Sequence, residues 1–206
     1  MFKVLVNYNF TPDKEWIGDD YLIYDRSDSK EFLKDFDQSK IIYTENIGQV
    51  DRDKLGYLID NYDNLPDIFL WGKTNLFKYL TPEEYELVKN NTTFTPLLTK
   101  NHKVITDAEG KMSFYENGMY YERNNTCLFT IMEWKFCQMY WDFAKLFDLP
   151  NPQFIPFPPG GNYILTKEVI HKYDKDFYKI MRNMLGYTKL PLEAHFCERS
   201  YFNMWR

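Results

Sequence analysis

The segment DIFLWGKTN, residues 67–75, begins as an apolar run and ends in small, basic and polar residues. A short apolar run bounded by turn residues favours a buried strand. In open α/β sheets, ligands bind at the carboxyl ends of the strands. The segment therefore predicts a central strand whose end carries Gly72, Lys73 and Thr74 into a functional position.

Strands and helices alternate on the amino-terminal side of this segment. The pattern predicts strands at 2–8, 21–28 and 40–48 and helices at 29–36 and 51–66. The apolar residues of the second helix keep helical spacing: Leu55, Leu58, Ile59, Tyr62. This alternation predicts an α/β fold, with a mixed, mostly parallel sheet and helices on both faces.

The alternation becomes irregular on the carboxyl-terminal side. The patterns there predict a helix at 81–89, a hairpin at 111–123, a buried helix at 127–147, a Pro/Gly loop at 149–163, a strand at 162–170 and helices at 166–185 and 191–206. We predict one domain over 1–206, with a nucleotide-binding half at about 1–90 and an acceptor half at about 91–206, cut from a longer protein.

Composition limits the classes of partner. Hydrophobic residues make up 44% and charged residues 27% of the chain, which is typical of a globular protein. The formal net charge of -5 argues against a general nucleic-acid binder. No run approaches a membrane span and the first residues do not resemble a signal peptide, so we expect a cytoplasmic protein. The three cysteines, Cys127, Cys137 and Cys197, are expected to be free thiols.

Polar residues recur where the predicted strands end. A ligand with a flat base, a ribose and a phosphate suits such a row, because Tyr8 can stack on a base and Asp25 can accept from a hydroxyl. A helix start after Gly48 offers backbone N–H groups to phosphate, and Arg52 and Lys73 add charge. Solvated surface charges are the alternative interpretation. The candidate donor-binding residues at these ends are Asn7, Tyr8, Asn9, Asp25, Arg26, Asn46, Gly48, Arg52, Trp71, Gly72 and Thr74.

Two common phosphate-binding motifs do not match this sequence. VNYNFTPD follows the first predicted strand, where a dinucleotide fold would carry Gly-x-Gly-x-x-Gly. WGKTN contains Gly-Lys-Thr but lacks the upstream glycine of a P-loop. Both observations argue against the corresponding folds.

Three segments together resemble a known family: YLIDNYDNLPDIFLWGK at 57–73, PGGNYILTKEVIHKY at 159–173 and EAHFCERSYFNMW at 193–205. They are similar to small GT-A-type glycosyltransferases, among them chlorovirus domains that decorate a capsid glycan. The resemblance covers most of the chain but is patchy between residues 90 and 150. It implies a nucleotide-sugar donor, a UDP-hexose or UDP-deoxyhexose, and transfer of the sugar to a hydroxyl of a glycan or glycoprotein.

The resemblance also implies roles for individual residues. Tyr8, Asn9 and Asp25 would hold the uridine, and Asn46, Gly48 and Arg52 would lie near the diphosphate or the donor sugar. Trp71, Trp141 and Trp205 could each stack on a sugar, but core packing is the favoured interpretation of all three. The residues that would face sugar and acceptor are Gly160, Gly161, Asn162, Glu193, His195 and Arg199.

The sequence departs from the family at the fourth strand. GT-A enzymes generally carry Asp-x-Asp there, to hold Mn²⁺ or Mg²⁺ on the diphosphate, whereas this chain has WGKTN. Lys73 is a candidate replacement for the metal as a fixed point charge on the leaving group. The alternative is a metal held elsewhere, with His195 as a candidate ligand. Glu193, at the start of the last helix, is the candidate base, and an ordinary helix-terminal acid is its structural alternative. Asp142, inside an aromatic helix, is the weaker alternative base.

Two other functions remain as alternatives. A non-catalytic carbohydrate- or nucleotide-binding module would have the same fold and a lost metal site. A sugar nucleotidyltransferase would normally show a glycine-rich, basic loop after its first strand, and NYNFTPDKE differs from such a loop.

Overall fold

The structure, a computed structural model, describes residues 1–98, 102–107, 110–124 and 132–206. The strands are β1 (Phe2–Asn7), β2 (Tyr21–Asp25), β3 (Ile41–Tyr43), β4 (Ile68–Lys73), β5 (Thr95–Pro96), β6 (Thr106–Asp107), β7 (Gly110–Lys111), β8 (Ser113–Glu116), β9 (Met119–Arg123), β10 (Phe154–Pro156) and β11 (Tyr163–Thr166). The helices are α1 (Lys14–Ile17), α2 (Gln49–Asp60), α3 (Pro82–Val88), α4 (Tyr140–Leu146), α5 (Lys167–Ile170), α6 (Lys175–Asn183) and α7 (Leu192–Trp205).

The main sheet has six strands in the order β3-β2-β1-β4-β11-β5. The first four are parallel, and β11 runs antiparallel to both β4 and β5. The prediction of a mixed, mostly parallel sheet is therefore confirmed. Because β11 comes from the carboxyl-terminal half and pairs with β4, both halves of the chain build one sheet.

Apolar side chains fill both faces of this sheet. The larger core lies under α2, α4, α6 and α7, and it contains Leu58, Phe143 and Phe196. The smaller core on the other face includes Ile17 of α1 and Tyr85 of α3. Helices on both faces are thus confirmed. No helix in the described ranges is long and apolar enough to cross a membrane.

Strand β4 lies at the centre of the molecule, as its apolar run predicted. Trp71 is fully buried, and its ring packs edge-on against Trp205 and Tyr201 with centroids 5.2 and 5.0 Å away. Its indole N–H donates to the Lys54 carbonyl at 3.2 Å. Trp71 is therefore a core residue, and a sugar cannot stack on its ring.

The long helix predicted over 127–147 is wrong in its described part. Only Tyr140–Leu146 is helical, and residues 132–139 form an irregular segment. The backbone N–H groups of Lys135, Phe136 and Cys137 donate to the Glu193 carboxylate, so they do not enter a helical ladder. The predicted positions 127–131, with Cys127, lie outside the described residues. Cys137 and Cys197 are buried free thiols, as predicted.

Two further predicted helices differ from those in the structure. The helix predicted over 166–185 is two helices, α5 and α6, because the Asp174 side chain caps α6 by accepting from the Phe177 N–H at 2.8 Å. Residues Lys30–Leu33 form a 3₁₀ turn instead of the predicted helix.

The predicted hairpin is confirmed by β8 and β9. Asn117 and Gly118 at its tip both have positive φ, as a tight two-residue turn requires.

Candidate functional site

Two cavities adjoin at the carboxyl edge of the parallel strands. We call the first, of about 400 Å³, the basic cavity, and it is lined by Tyr8, Arg26, Asn46, Gln49, Val50, Lys189 and Leu190. We call the second, of about 280 Å³, the charged cavity, and it is lined by Gln49, Val50, Asp51, Lys73, Tyr79, His102, Glu122, Phe157, Pro159, Gly160, His195, Glu198 and Arg199. The first turn of α2 is common to both, through Gln49 and Val50.

A turn with left-handed backbone conformation positions the first turn of α2, which forms the wall between the two cavities. Gly48 and Gln49 have φ of 76° and 52°, and their N–H groups donate to the carbonyls of Thr188 and Lys189. A Cβ on Gly48 would lie 2.6 Å from the Leu185 carbonyl oxygen, so only glycine fits there. The turn ties the start of α2 to the 188–190 loop, and both contribute to the basic cavity.

Arg26 is the buried cation of the basic cavity, and its side chain is incompletely paired. It is 2% exposed, with Nη2 bonded to the Glu45 and Ile47 carbonyls and Nε 3.6 Å from Asp53. Within the described part of the chain, Nη1 has no hydrogen-bond partner. A buried guanidinium N–H without a partner is costly, and the positive charge of Arg26, which lines this cavity, favours an anion there.

Several residues that were predicted to bind the donor instead hold the strand ends together by hydrogen bonds. Asn7 donates to Asp25 and to Ser27 Oγ at 3.1 Å each, and it accepts from the Thr74 hydroxyl. Asn9 bonds Asp28 in both directions. None of the predicted residues Asn7, Asn9, Asp25 and Thr74 lines either cavity. Their network holds the ends of β1, β2 and β4 in register.

Lys73 reaches the charged cavity, as the opening segment predicted. Its Nζ lies 3.5 Å from the Tyr79 hydroxyl and 5.0 Å from the centroid of that ring. Burial opposes the lysine charge, but Glu198, Tyr79 and Asp51 outweigh burial and raise the pKa of Lys73. Burial also opposes the Glu198 charge, and Lys73 and Arg199 outweigh it and lower the pKa of Glu198. Both groups are therefore charged at neutral pH.

Arg199 is held by its neighbours on the opposite wall. Its Nε and Nη2 donate to one Glu122 oxygen at 3.1 and 2.6 Å, and Nη1 lies 3.2 Å from His195 Nδ1. Glu198 lies 3.8 Å from the same guanidinium. Burial, with Arg199 beside it, lowers the pKa of His195 to about 4, so the imidazole is neutral at pH 7.

Asp51 and Lys54 form a buried acid–base pair on α2. Asp51 lines the charged cavity and is 4% exposed, and burial raises its pKa to about 6 against the opposing charge of Lys54. Burial lowers the pKa of Lys54 to about 7 against the opposing charge of Asp51. Lys54 stands behind the cavity wall, where its ammonium donates to the Gly161 carbonyl and lies 4.3 Å from the Trp71 ring centroid.

The Gly-Gly turn and Asn162 support the charged cavity, and of these residues only Gly160 lines it. Gly160 has φ of 93°, its N–H donates to Glu198 at 2.9 Å, and a Cβ on it would lie 2.7 Å from the Tyr79 ring. Asn162 accepts from the Lys73 N–H at 2.9 Å. A Cβ on Gly72 would lie 2.9 Å from Asn162 Oδ1. Gly72, Gly161 and Asn162 thus support the site without lining it.

Glu193, the predicted base, does not line either cavity. It is fully buried, and one of its oxygens accepts from the N–H groups of residues 135–137 at 3.1, 2.8 and 3.2 Å. The other oxygen accepts from the Tyr187 hydroxyl at 2.6 Å. Arg52 also lies off the cavities, and its side chain packs against the Gly48 turn. Glu193 therefore joins α7 to two loops and has no open face for an acceptor.

The structure brings together seven of the predicted site residues: Tyr8, Arg26, Asn46, Lys73, Gly160, His195 and Arg199. The sequence patterns did not indicate the site roles of Asp51, Tyr79, Glu122, Lys189 and Glu198. One signal was available for Glu198, because His195, Glu198 and Arg199 are spaced three and four residues apart and so share one helix face. Nothing in the local pattern singled out Glu122, which comes from the hairpin strand β9.

The cavity residues do not fit a metal site. In the described ranges, no three His, Cys, Asp or Glu side chains are close enough together to hold a metal ion. Glu122 is bonded to Arg199, and Glu198 lies between two cations and accepts from the Gly160 N–H. Apart from Arg199, the cationic side chains in the described ranges that line the two cavities are Lys73, Arg26 and Lys189.

No family model matches the chain, and neither the curated proteins nor the solved structures contain a match to it. The fold and the site together define an α/β protein with paired polar cavities at its parallel strand ends.

Proposed function

We propose that this protein is a glycosyltransferase that moves a sugar from a nucleotide-sugar donor, a UDP-sugar, to a hydroxyl of a glycan acceptor. One observation carries the proposal: two adjoining cavities share the first turn of α2, and one of them contains a buried guanidinium with an unpartnered N–H. Elongated ligands made of a nucleoside, a diphosphate and a sugar match this division into two connected spaces. The GT-A-type resemblance of the sequence supports the same conclusion.

The basic cavity suits the nucleoside and the phosphates. Tyr8 is about half exposed, which leaves its ring free to stack on a base. The Arg26 guanidinium and the Lys189 ammonium, which both line this cavity, supply positive charge for the phosphates. The diphosphate would lie at the shared wall, against Gln49 and Val50.

Lys73 is the proposed stabiliser of the leaving diphosphate in the charged cavity. Negative charge develops on the leaving oxygen as the glycosidic bond to the donor breaks. A half-buried ammonium that is held beside Tyr79 can stabilise that charge where other enzymes use a metal. The neighbouring Glu198 keeps Lys73 protonated, because it raises the lysine pKa.

Asp51 is the proposed base, in place of Glu193. It lines the charged cavity, and burial raises its pKa to about 6, so it is mostly ionised at pH 7 and still basic enough to accept a proton. In an inverting transfer it would take the proton of the acceptor hydroxyl as that oxygen attacks the anomeric carbon. The diphosphate leaves with the electron pair of the broken bond.

Thermal-shift and calorimetric titrations with UDP, GDP, CMP and UDP-sugars, each with and without Mn²⁺, test the proposal. Binding to the native state raises the melting temperature by mass action. We expect UDP and its sugars to bind without Mn²⁺ and Arg26→Gln to weaken that binding at least about tenfold, since a charged hydrogen bond contributes about 1.5–3 kcal/mol. Arg182→Gln is the matched control, because Arg182 also donates to a backbone carbonyl but lies outside both cavities.

The absence of binding by every nucleotide would refute the proposal. Equal weakening by Arg26→Gln and Arg182→Gln would also contradict it, because the effect would then report stability alone.

A non-catalytic nucleotide-binding module is the second candidate. The observation that favours it is the existing pairing of Arg199 with Glu122, which leaves that cation engaged before any ligand arrives. Release of UDP from UDP-sugars, followed with and without glycan acceptors, separates the two. A protein that binds UDP but releases none from any UDP-sugar would be the binding module.

A further inference from the structure

The lining of the charged cavity has an excess of carboxylates. Asp51, Glu122 and Glu198 face two cations, Lys73 and Arg199. The two imidazoles do not offset this excess, because burial lowers the pKa of both His102 and His195. The ammonium of Lys54 stands behind the wall and donates to Gly161, so a molecule in the cavity does not meet it directly.

Both cations of the cavity are already engaged. Arg199 makes two hydrogen bonds to Glu122 and lies 3.8 Å from Glu198. Lys73 lies beside Tyr79 and in the field of Glu198, which is the largest favourable influence on its charge. In the proposed donor complex Lys73 faces the leaving diphosphate, so a carboxylate on the sugar itself would meet Asp51, Glu122 and Glu198, and like charges placed side by side repel.

The carboxylate oxygens of Glu198 can accept more hydrogen bonds than they do. Glu198 accepts from the Gly160 N–H through one oxygen, and its other oxygen is 3.8 Å from Arg199, which is longer than a hydrogen bond. Ionised carboxylates can only accept, and each oxygen has room for more than one donor. The natural ligand for such a wall is a neutral group that is rich in O–H donors.

The size of the cavity limits the ligand further. Its volume of about 280 Å³ is smaller than the 400 Å³ of the basic cavity, so the sugar part of a sugar nucleotide fits it better than the nucleoside part does. From the carboxylate excess, the engaged cations and this volume, we infer that the charged cavity selects a neutral hexose-type donor sugar and rejects uronic acids. The inference rests on the proposed function and specifies its donor.

Matched sugar nucleotides test the inference on the unmodified protein. UDP-glucose and UDP-glucuronate differ only at C6, where a hydroxymethyl group becomes a carboxylate, and UDP-galactose and UDP-galacturonate form a second pair. By titration calorimetry, with UDP as the reference, we expect each uronate to bind at least about tenfold more weakly than its hexose partner. Glu198→Gln should narrow the difference, because it removes one of the repelling carboxylates.

The outcomes separate the two proposals. If UDP binds and the uronates bind as well as the hexoses, the sugar inference is wrong and the proposed function stands. If no uridine nucleotide binds, the proposed function fails and the inference fails with it. Because the main comparison uses the wild-type protein, poor folding of Glu198→Gln would not affect it.

Discussion

At the scale of single residues, the site depends on ionisable groups that the fold removes from water. Asp51 and Asp53 lie on the same helix, both are 4% exposed, and burial raises the pKa of each to about 6. Each has an opposing cation, Lys54 for the first and Arg26 for the second. The raised pKa values reduce stability at neutral pH, and strongly shifted carboxyl groups are typical of functional sites.

The pH dependence of stability tests the burial of Asp51. Between about pH 4 and 6, folded Asp51 keeps a proton that the unfolded chain has lost, so the folded state binds more protons and stability falls as pH rises. Asp51→Asn should make this fall in stability shallower, by on the order of 3 kcal/mol over the window, while Asp53 maintains the remaining fall. Urea unfolding from pH 4 to 7 measures it.

Asp60→Asn is the matched control for this experiment, since Asp60 is an exposed aspartate of the same helix. Its unfolding free energy should follow that of the wild type across the window. Parallel curves for Asp51→Asn and wild type would show that Asp51 is not a buried acid.

A pH profile of catalysis gives a separate test of Asp51. In Asp51→Asn, we expect kcat/KM to fall by about 10²-fold or more and its acid limb near pH 6 to disappear.

At the scale of elements, Glu193 connects α7 to the irregular segment and to the Tyr187 loop. Glu193→Gln replaces one accepting oxygen with a donor among groups that all donate, so the unfolding free energy should fall by about 1–3 kcal/mol. Denaturant unfolding measures this, and Glu168→Gln, an exposed first-turn acid of α5, is the control. A 10²-fold loss of transfer at unchanged stability would instead restore Glu193 as the base.

The Gly160 turn gives a second prediction at this scale. Gly160 and Gly118 both have positive φ, but a Cβ on Gly118 meets nothing within 4 Å, whereas a Cβ on Gly160 meets the Tyr79 ring at 2.7 Å. Gly118→Ala should cost about 1–2 kcal/mol from backbone strain alone. Gly160→Ala should cost about 1–3 kcal/mol more, from overpacking, and should weaken sugar-nucleotide binding. Equal unfolding free energies for the two variants would contradict the packing of Tyr79 on the turn.

The sequence predicted helix α7 but not which of its side chains face the charged cavity. Glu193 and Glu198 are five residues apart, which places them about 140° apart around a helix, so both cannot face the same cavity. Both sides of α7 are largely buried, since Phe196 and Tyr201 pack in the core, so apolar spacing does not reveal which side faces the site. That choice depends on contacts with residues 122, 135 and 160, which are distant in sequence.

At the scale of the whole molecule, the mostly parallel sheet was predictable because each of its parallel strands carries a compact apolar run. The antiparallel β11 was predicted as a strand, but its pairing with β4 was not, since pairing partners are set by tertiary packing. The cavities were predictable only as a row of strand ends. The basic and charged cavities are separate because α2, β9 and α7 converge there, and local sequence patterns do not predict that convergence.

The central position of β4 also has a consequence for synthesis of the chain. Phe69 pairs with Phe2 on one side and Leu165 on the other, so the second neighbour leaves the ribosome long after the first. During that interval the nascent chain exposes an apolar, unpaired strand edge, which is a template for aggregation. Chaperone protection and slow synthesis should therefore affect the yield of this protein more than they affect proteins whose strands pair with sequence neighbours.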